Sequence, residues 1–186
     1  MLLSKRITFL NEFLRNAGRT GSVTPSSRSL IHKMTRPLGL STAKVIIELG
    51  PGTGPMTRSI LQKMGPDAKL LAFETNSLFC EELQKINDPR LTVINESAEL
   101  ISKYLKDMNL NQADCVLSSI PLAMVPIRVR MRIVSEVKNN LKPGGVFTQF
   151  QYSKTAQNVI RHYFRNVRID FTPFNIPPAF IYICKN

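Results

Sequence analysis

The chain has 186 residues, of which 43% are hydrophobic and 20% are charged. This length and composition allow one globular domain with its own core and exclude a disordered or fibrous protein. With 25 Lys and Arg against 13 Asp and Glu, the formal net charge is +12.

The positive charge is concentrated in two separated segments. Residues 1–44 carry eight basic residues and one acid, and residues 125–168 carry nine basic residues and one acid. A cationic surface assembled from both segments favours an anionic partner, either a membrane face or a nucleic-acid backbone. The alternative is that the charge serves solubility only.

The cysteines and the first residues of the chain indicate where in the cell the protein is expected. Cys80, Cys115 and Cys184 are odd in number, widely spaced and without a C-x-x-C pair, so neither a disulfide framework nor a metal site is expected. Lys5 and Arg6 interrupt the opening before an apolar run of signal-peptide length can form. No stretch approaches the ~18 apolar residues of a spanning helix. We expect a cytoplasmic protein whose membrane contact is peripheral, at the inner face of the cell membrane.

Residues 1–43 predict an N-terminal amphipathic helix and a segment that faces substrate or membrane. From residue 2 to about residue 16, apolar residues recur at intervals of four, three and four positions, which makes one helical stripe. A second helix is expected from Arg28 to about Pro37. The apolar stripe fits a membrane surface, and it also fits packing against the chain's own domain. The candidate contact residues are Leu3, Ile7, Phe9, Leu10, Phe13, Arg19, Ser26, Ser27 and Arg28.

Residues 44–186 alternate seven predicted strands with helices and complete a single compact domain. The strands are expected at 44–49, 69–74, 91–94, 113–119, 146–152, 165–171 and 179–184. The helices are expected at 55–64, 77–86, 98–106, 126–141 and 154–162. This alternation predicts a Rossmann-like α/β fold, with a mostly parallel sheet and helices on both faces.

Two connections in this segment have their own signals. The loop between the last two strands is too short for a crossover helix, so these strands should pair as an antiparallel hairpin at the sheet edge. The KPGG sequence at 142–145 is expected to end the long helix and to turn the chain into the fifth strand.

A glycine-rich loop follows the first predicted strand and opens a helix. It contains Glu48, Gly50, Gly52 and Gly54, and the glycines allow a tight turn and close approach of a ligand to the backbone. Glu74 ends the second strand, where an acid is expected to accept hydrogen bonds from the ribose of an adenosyl group. A carboxylate at Glu48 favours a cationic ligand and repels a pyrophosphate, which argues against NAD. The alternative is that Glu48 only caps the loop and the glycines only form a turn.

These residues, together with the late LKPGG, resemble the class I S-adenosylmethionine-dependent methyltransferases over residues 44–186. Within that superfamily, TGSVTPSSRSL (20–30), SSIPL (118–122) and QFQYS (149–153) resemble the bacterial phospholipid N-methyltransferases, which convert phosphatidylethanolamine towards phosphatidylcholine. The rRNA adenine dimethyltransferases are more distantly similar. Ser118 and Leu122 stand where those enzymes grip a flipped adenine with an Asn and an aromatic residue, which counts against nucleobase chemistry.

The resemblance implies S-adenosylmethionine as methyl donor and S-adenosylhomocysteine as product, without a metal. The implied cofactor residues are Glu48, Gly50, Gly52, Gly54, Glu74, Thr75, Ser97, Ala98 and Ser118. Ser97 equally fits a plain helix N-cap. Ser119 and Pro121 are implied beside the reacting methyl group. Tyr152 is expected to favour the methylated cation through its ring, although a tyrosine at the rim of the sheet fits as well.

The expected function is N-methylation of a phospholipid amine headgroup, with an anionic membrane surface as partner. A second hypothesis is an RNA or protein methyltransferase that binds phosphates with the basic surface, although the chain shows no appended RNA-binding module. A third is a non-catalytic protein that binds an adenosyl ligand or tethers to membranes.

Overall fold

The computed structural model describes residues 25–173 and 178–186, with side chains from Arg28 onwards. The predicted helix of residues 2–16 lies outside the described residues. So do the candidate contact residues Leu3, Ile7, Phe9, Leu10, Phe13 and Arg19 and the side chains of Ser26 and Ser27.

The described residues form alternating helices and strands. The helices are α1 (Pro25–Thr35), α2 (Pro55–Lys63), α3 (Ser77–Gln84), α4 (Ile101–Asp107), α5 (Ile127–Asn140) and α6 (Gln157–Tyr163). The strands are β1 (Val45–Leu49), β2 (Lys69–Phe73), β3 (Leu91–Ile94), β4 (Ala113–Ser118), β5 (Leu141–Gln151), β6 (Asn166–Thr172) and β7 (Ala179–Lys185). Short 3₁₀ turns lie at Arg36–Leu38, Ala98–Leu100, Leu122–Met124 and Lys154–Ala156.

The seven strands make one sheet in the order β3-β2-β1-β4-β5-β7-β6. All neighbouring pairs from β3 to β5 are parallel, whereas β7 is antiparallel to both β5 and β6. This confirms the predicted Rossmann-like fold and the hairpin at the sheet edge. The antiparallel strand is the inner one, β7, and the outermost strand, β6, runs parallel to the rest. The strand order reverses between β1 and β4, which is where open α/β sheets bind ligands at the carboxyl ends of their strands.

Apolar side chains cover both faces of the sheet. One buried cluster joins β1, β2, β4 and β5 to helices α4, α5 and α6 through residues such as Ile47, Val134 and Phe164. The other joins the opposite face to α2 and α1, and it includes Ile60 and Met34. Helix α1 therefore packs on the sheet and shares its core. Among the described residues, no helix has the length and hydrophobicity needed to cross a bilayer.

One sequence prediction about the backbone was wrong. Strand β5 begins at Leu141, directly after α5, so KPGG lies inside the strand and does not form a turn before it. A step of two residues on β4, from Ala113 to Cys115, is matched by a step of five on β5, from Leu141 to Val146. Pro and Gly here mark a bulge in the strand.

The other boundaries differ by a turn or less. The helix expected from Arg28 begins at Pro25 and passes into the 3₁₀ turn Arg36–Leu38. The helices expected at 98 and 154 each begin with a 3₁₀ turn. Helix ends often tighten in this way.

Candidate active site

A cavity of about 420 Å³ lies at the carboxyl edge of the sheet, where the strand order reverses. The loops that follow β1 to β4 and the first turns of α5 enclose it. Its walls are formed by Gly50, Gly52, Phe73, Glu74, Thr75, Asn76, Phe79, Glu96, Ser97, Ala98, Ser119, Ile120, Pro121, Val125, Val129 and Ile133. Of the 12 sequence-predicted catalytic and cofactor residues, eight are in this set.

The glycine-rich loop forms the floor of the cavity. Gly50, Gly52 and Gly54 have φ of +67°, +58° and +86°, a region that costs other L-residues about 1–2 kcal/mol. A Cβ on Gly50 would lie 3.1 Å from Cγ1 of Ile120, so the loops after β1 and β4 approach closely here. A Cβ on Gly52 would meet no atom within 4 Å, which leaves open space above its backbone. Gly54 does not reach the cavity, because it packs against Arg58 and Leu83.

Glu74 joins the ends of β1 and β2 at the cavity wall. Its Oε2 accepts a hydrogen bond of 3.1 Å from the amide of Gly52, and its Oε1 accepts one of 2.9 Å from the amide of Asn76. Each carboxylate oxygen can accept more than one hydrogen bond. Glu74 is only 8% exposed, and these two amides hold its carboxyl group in a fixed orientation at the cavity wall.

Glu48 lies beneath this floor and not on the cavity wall. It is fully buried in β1, and no hydrogen bond reaches either carboxylate oxygen from the described residues. Burial raises its pKa to about 8; the nearby Thr57 hydroxyl partly offsets this, and the charge of Glu74 adds to it. An uncompensated buried carboxylate is costly, and a nearby cation relieves that cost.

The loop after β3 brings both predicted and unpredicted residues to the cavity. Ser97 and Ala98 line it as placed by the sequence, and Ser97 also caps the 3₁₀ turn, because its Oγ accepts from the amide of Glu99 at 3.3 Å. Beside them lies Glu96, a carboxylate that the sequence analysis did not single out. The sequence gives little indication of a role for Glu96, because it lies among polar residues in a loop between two secondary-structure elements.

Residues of the segment 119–125 form the opposite wall, and they include Ser119 and Pro121, which the sequence predicts at the site. Ser118 is fully buried and does not line the cavity. Its Oγ accepts from the amide of Ile120 at 3.3 Å and so shapes the turn. The amide of Ser119 donates to the carbonyl of Leu49 at 2.8 Å, which ties this wall to the end of β1.

The structure does not bring Tyr152 to the cavity wall. The residue follows the end of β5, and its ring packs edge-on against Phe150, with 5.6 Å between centroids. His32 and His162 are both exposed on helices away from the cavity. Among the described residues, no histidine lines the cavity, so no imidazole base is in place there.

The remaining wall is apolar and comes mainly from α5. Val129 and Ile133 are one helical turn apart and both face the cavity, together with Val125 and Phe79. From the sequence these residues match an ordinary amphipathic helix that packs on a sheet. Only the folded chain distinguishes the flank of α5 that faces the cavity from the flank that faces the core.

These residues fit S-adenosylmethionine. The open space above Gly52 accommodates a ligand against the backbone, and Glu74 is placed to accept from ribose hydroxyls. Glu48 supplies a buried carboxyl that has no hydrogen-bond partner among the described residues, and a cationic ligand close to it would favour its ionised form. When bound, S-adenosylmethionine supplies a methyl group activated by a sulfonium.

The fold and the cavity define the class of an S-adenosylmethionine-dependent methyltransferase, and comparison with known proteins agrees. Residues 46–145 match the family model described as a methyltransferase domain, and the chain belongs to this family.

Matches to individual proteins are more specific than the family match. The chain is 30% identical to ornithine lipid N-methyltransferase of Singulisphaera acidiphila over 180 residues, which cover 95% of this chain and 94% of that protein. A match to ribosomal RNA small subunit methyltransferase H of Christiangramia forsetii has 33% identity but covers 39% of this chain and 24% of that protein. Among solved structures, the N-methyltransferase NodS from Bradyrhizobium japonicum has a TM-score of 0.73 at 12% identity, over 88% of this chain and 97% of that chain. That structure shows the same fold.

Proposed function

We propose that this protein transfers methyl groups from S-adenosylmethionine to the amine headgroup of a lipid at a membrane surface. The observation that carries the proposal is the 30% identity to an ornithine lipid N-methyltransferase along nearly the whole of both chains. The ribosomal RNA methyltransferase matches span less than half of this chain and less than a third of those proteins, so they support an RNA substrate much less than the full-length match supports a lipid.

The acceptor side of the cavity supports an amine substrate. An amine must be neutral to attack the methyl group, and the wall formed by Ile120, Val125, Val129 and Ile133 disfavours the ammonium form. No strong base is therefore needed. The chain's contribution is to align the amine with the methyl–sulfur bond.

The exposed apolar side chains support action at a membrane surface. The large hydrophobic side chains exposed among the described residues are Leu78, Ile127, Met131 and Phe171. All four lie at or near the carboxyl edge of the sheet: at the starts of α3 and α5 and at the end of β6. Arg128 and Lys154 are exposed at the same edge. Apolar side chains and cations at the edge of the sheet that also carries the cavity suit an anionic lipid interface.

Two lipid acceptors share the required chemistry, a primary amine on a membrane lipid. Phosphatidylethanolamine is the acceptor implied by the sequence resemblance, and ornithine lipid is the acceptor named for the relative. The experiment supplies radiolabelled S-adenosylmethionine with total lipid extract or total RNA, followed by vesicles that contain either lipid alone. We expect label in lipid and in at least one of the two pure acceptors.

The control is Glu74→Gln, which keeps the size of the side chain and removes its charge. If this variant incorporates as much label as the wild type, the label does not come from methyl transfer at this site. Label in RNA with none in lipid would overturn the proposal in favour of an RNA methyltransferase.

A further inference from the structure

The wall formed by residues 119–125 is held from behind by three buried polar side chains. Gln149, Gln151 and Arg130 are 0%, 3% and 8% exposed. They are not on the cavity wall, and their hydrogen bonds to the segment all go to its backbone. Burying such groups is unfavourable unless they are hydrogen-bonded, so their partners indicate what they are for.

The two glutamines come from the end of β5. The side-chain amides of Gln149 and Gln151 both donate to the carbonyl of Ile120, at 3.0 Å and 2.9 Å. Gln151 also accepts from the amide of Ala123 at 3.2 Å, so one side chain spans both ends of the turn. Because the two glutamines lie two residues apart on one strand, they face the same side of the sheet.

Arg130 holds the far end of the segment. Its Nη2 donates to the carbonyls of Ala123 and Val125, at 3.2 Å and 3.0 Å. No carboxylate pairs with this guanidinium among the described residues, and burial lowers its pKa. A charged side chain that bonds only to carbonyls of one loop fixes the position of that loop.

The held segment is the one that faces the reaction. Ser119, Ile120, Pro121 and Val125 line the cavity. Ile120 also lies against Gly50, so its position sets the width of the cavity between the loops after β1 and β4. A shift of about 1 Å in such a wall can cost about a hundredfold in rate through lost alignment.

We propose that Gln149, Gln151 and Arg130 are positioning residues, which fix the 119–125 wall at the distance that aligns the methyl acceptor with the cofactor. This inference rests on the methyltransferase activity and does not depend on which acceptor is used.

The main test replaces Gln151 by methionine, which has a similar length and makes neither hydrogen bond. Hydrogen exchange of the amides in 119–125 should become at least about tenfold faster. The kcat should fall about 10- to 100-fold, with the cofactor Kd changed less than about threefold. Activity is measured with total lipid extract, or with total RNA if the wild type labels RNA instead.

The matched control is Thr148→Val. Thr148 is fully buried on the neighbouring position of β5, and its hydroxyl has no hydrogen-bond partner among the described residues. This variant should keep both the exchange rates and the kcat of the wild type. Unchanged exchange in Gln151→Met, an unchanged kcat, or an equal loss of kcat in Thr148→Val would each overturn the proposal.

A second variant, Gln151→Glu, covers the case in which the methionine variant does not fold. Its carboxylate still accepts from Ala123, but it donates to Ile120 only when protonated. The activity of this variant divided by that of the wild type at the same pH should therefore rise as the pH falls. A ratio that does not change with pH would contradict the proposed role of the hydrogen bond to Ile120.

Discussion

The amide of Gly52 donates a hydrogen bond of 3.1 Å to the carboxylate of Glu74, so the acid at the end of β2 is fixed to the glycine-rich loop after β1. One carboxylate thus orders the glycine-rich loop and also lines the cavity. Glu74 and Glu48 have different surroundings, because Glu74 reaches the cavity and Glu48 is sealed below it.

Replacing Glu74 by glutamine should weaken S-adenosylmethionine binding about 10- to 100-fold. Hydrogen bonds to a charged group contribute about 1.5–3 kcal/mol each, and a tenfold change in Kd corresponds to about 1.4 kcal/mol. Titration calorimetry measures the Kd. The control is Glu81→Gln, an exposed glutamate on α3, which should bind as the wild type does. Equal affinity in the two variants would remove Glu74 from the cofactor site.

The buried carboxyl of Glu48 should make stability depend on pH. Its pKa is about 8 in the folded chain and about 4.5 when unfolded, so between these pH values the folded chain keeps a proton that the unfolded chain releases. The free energy of unfolding therefore falls as the pH rises through this range. Glu48→Gln removes this contribution.

The measurement is urea unfolding of Glu48→Gln and wild type from pH 4.5 to 9. The stability advantage of the variant should grow with pH and level off above about pH 8, on the order of a few kcal/mol. Titrating groups that do not interact with Glu48 are shared by both proteins and cancel in the difference. A difference that stays constant from pH 4.5 to 8 would show that Glu48 is ionised throughout that range in the folded chain.

Two glycines allow a controlled test of the close approach between Gly50 and Ile120 at the site. Gly50 and Gly144 both have positive φ, but a Cβ on Gly50 would meet Ile120 at 3.1 Å, whereas one on Gly144 would meet no atom within 4 Å. Alanine at either position should cost about 1–2 kcal/mol of stability through backbone strain. Only Gly50→Ala should also weaken cofactor binding and lower kcat. If both variants lose activity alike, strain alone explains the effect.

The exposed apolar side chains of Ile127 and Met131 on α5 allow a test of membrane contact. Ile127→Asp with Met131→Asp should reduce binding to anionic vesicles at least about tenfold, because each side chain contributes up to about 1.5–3 kcal/mol when fully buried. Both are exposed and off the cavity wall, so cofactor affinity should stay unchanged. The control, Asn139→Asp with Asn166→Asp, adds the same charge near the amino edge of the sheet. Equal binding by both pairs would place the membrane contact elsewhere.

The cysteines should resist thiol reagents until the chain unfolds. All three are buried, and burial raises the pKa of Cys115 and of Cys184 to about 12 and also raises that of Cys80. Little reactive thiolate is then present near pH 8. Titration with a disulfide reagent should find three thiols in guanidinium and slow labelling in buffer. Labelling in buffer at the rate of a free thiol would contradict the burial of these side chains.

Local sequence patterns were sufficient to predict the sheet, the helices and the placement of the glycine-rich loop next to Glu74. Strand and helix periodicity are local signals, and a glycine loop between a strand and a helix can be recognised without tertiary contacts. The resemblance carried by Glu48, Gly50, Gly52, Gly54 and Glu74 therefore led to the correct class. KPGG misled because Pro and Gly break regular structure in turns and in bulges alike, and only the pairing of β4 with β5 distinguishes the two.

Which side chains meet at the acceptor side of the cavity could not be read from local patterns, because it depends on contacts between distant segments. Gln149, Gln151 and Arg130 come from β5 and α5, and they converge on backbone atoms of a third segment. Val129 and Ile133 look like ordinary core residues until the sheet shows which flank of α5 faces the cavity. Tyr152, chosen for its ring chemistry, lies off the cavity wall. Residue type and spacing specify what a side chain can do, and long-range packing specifies what it touches.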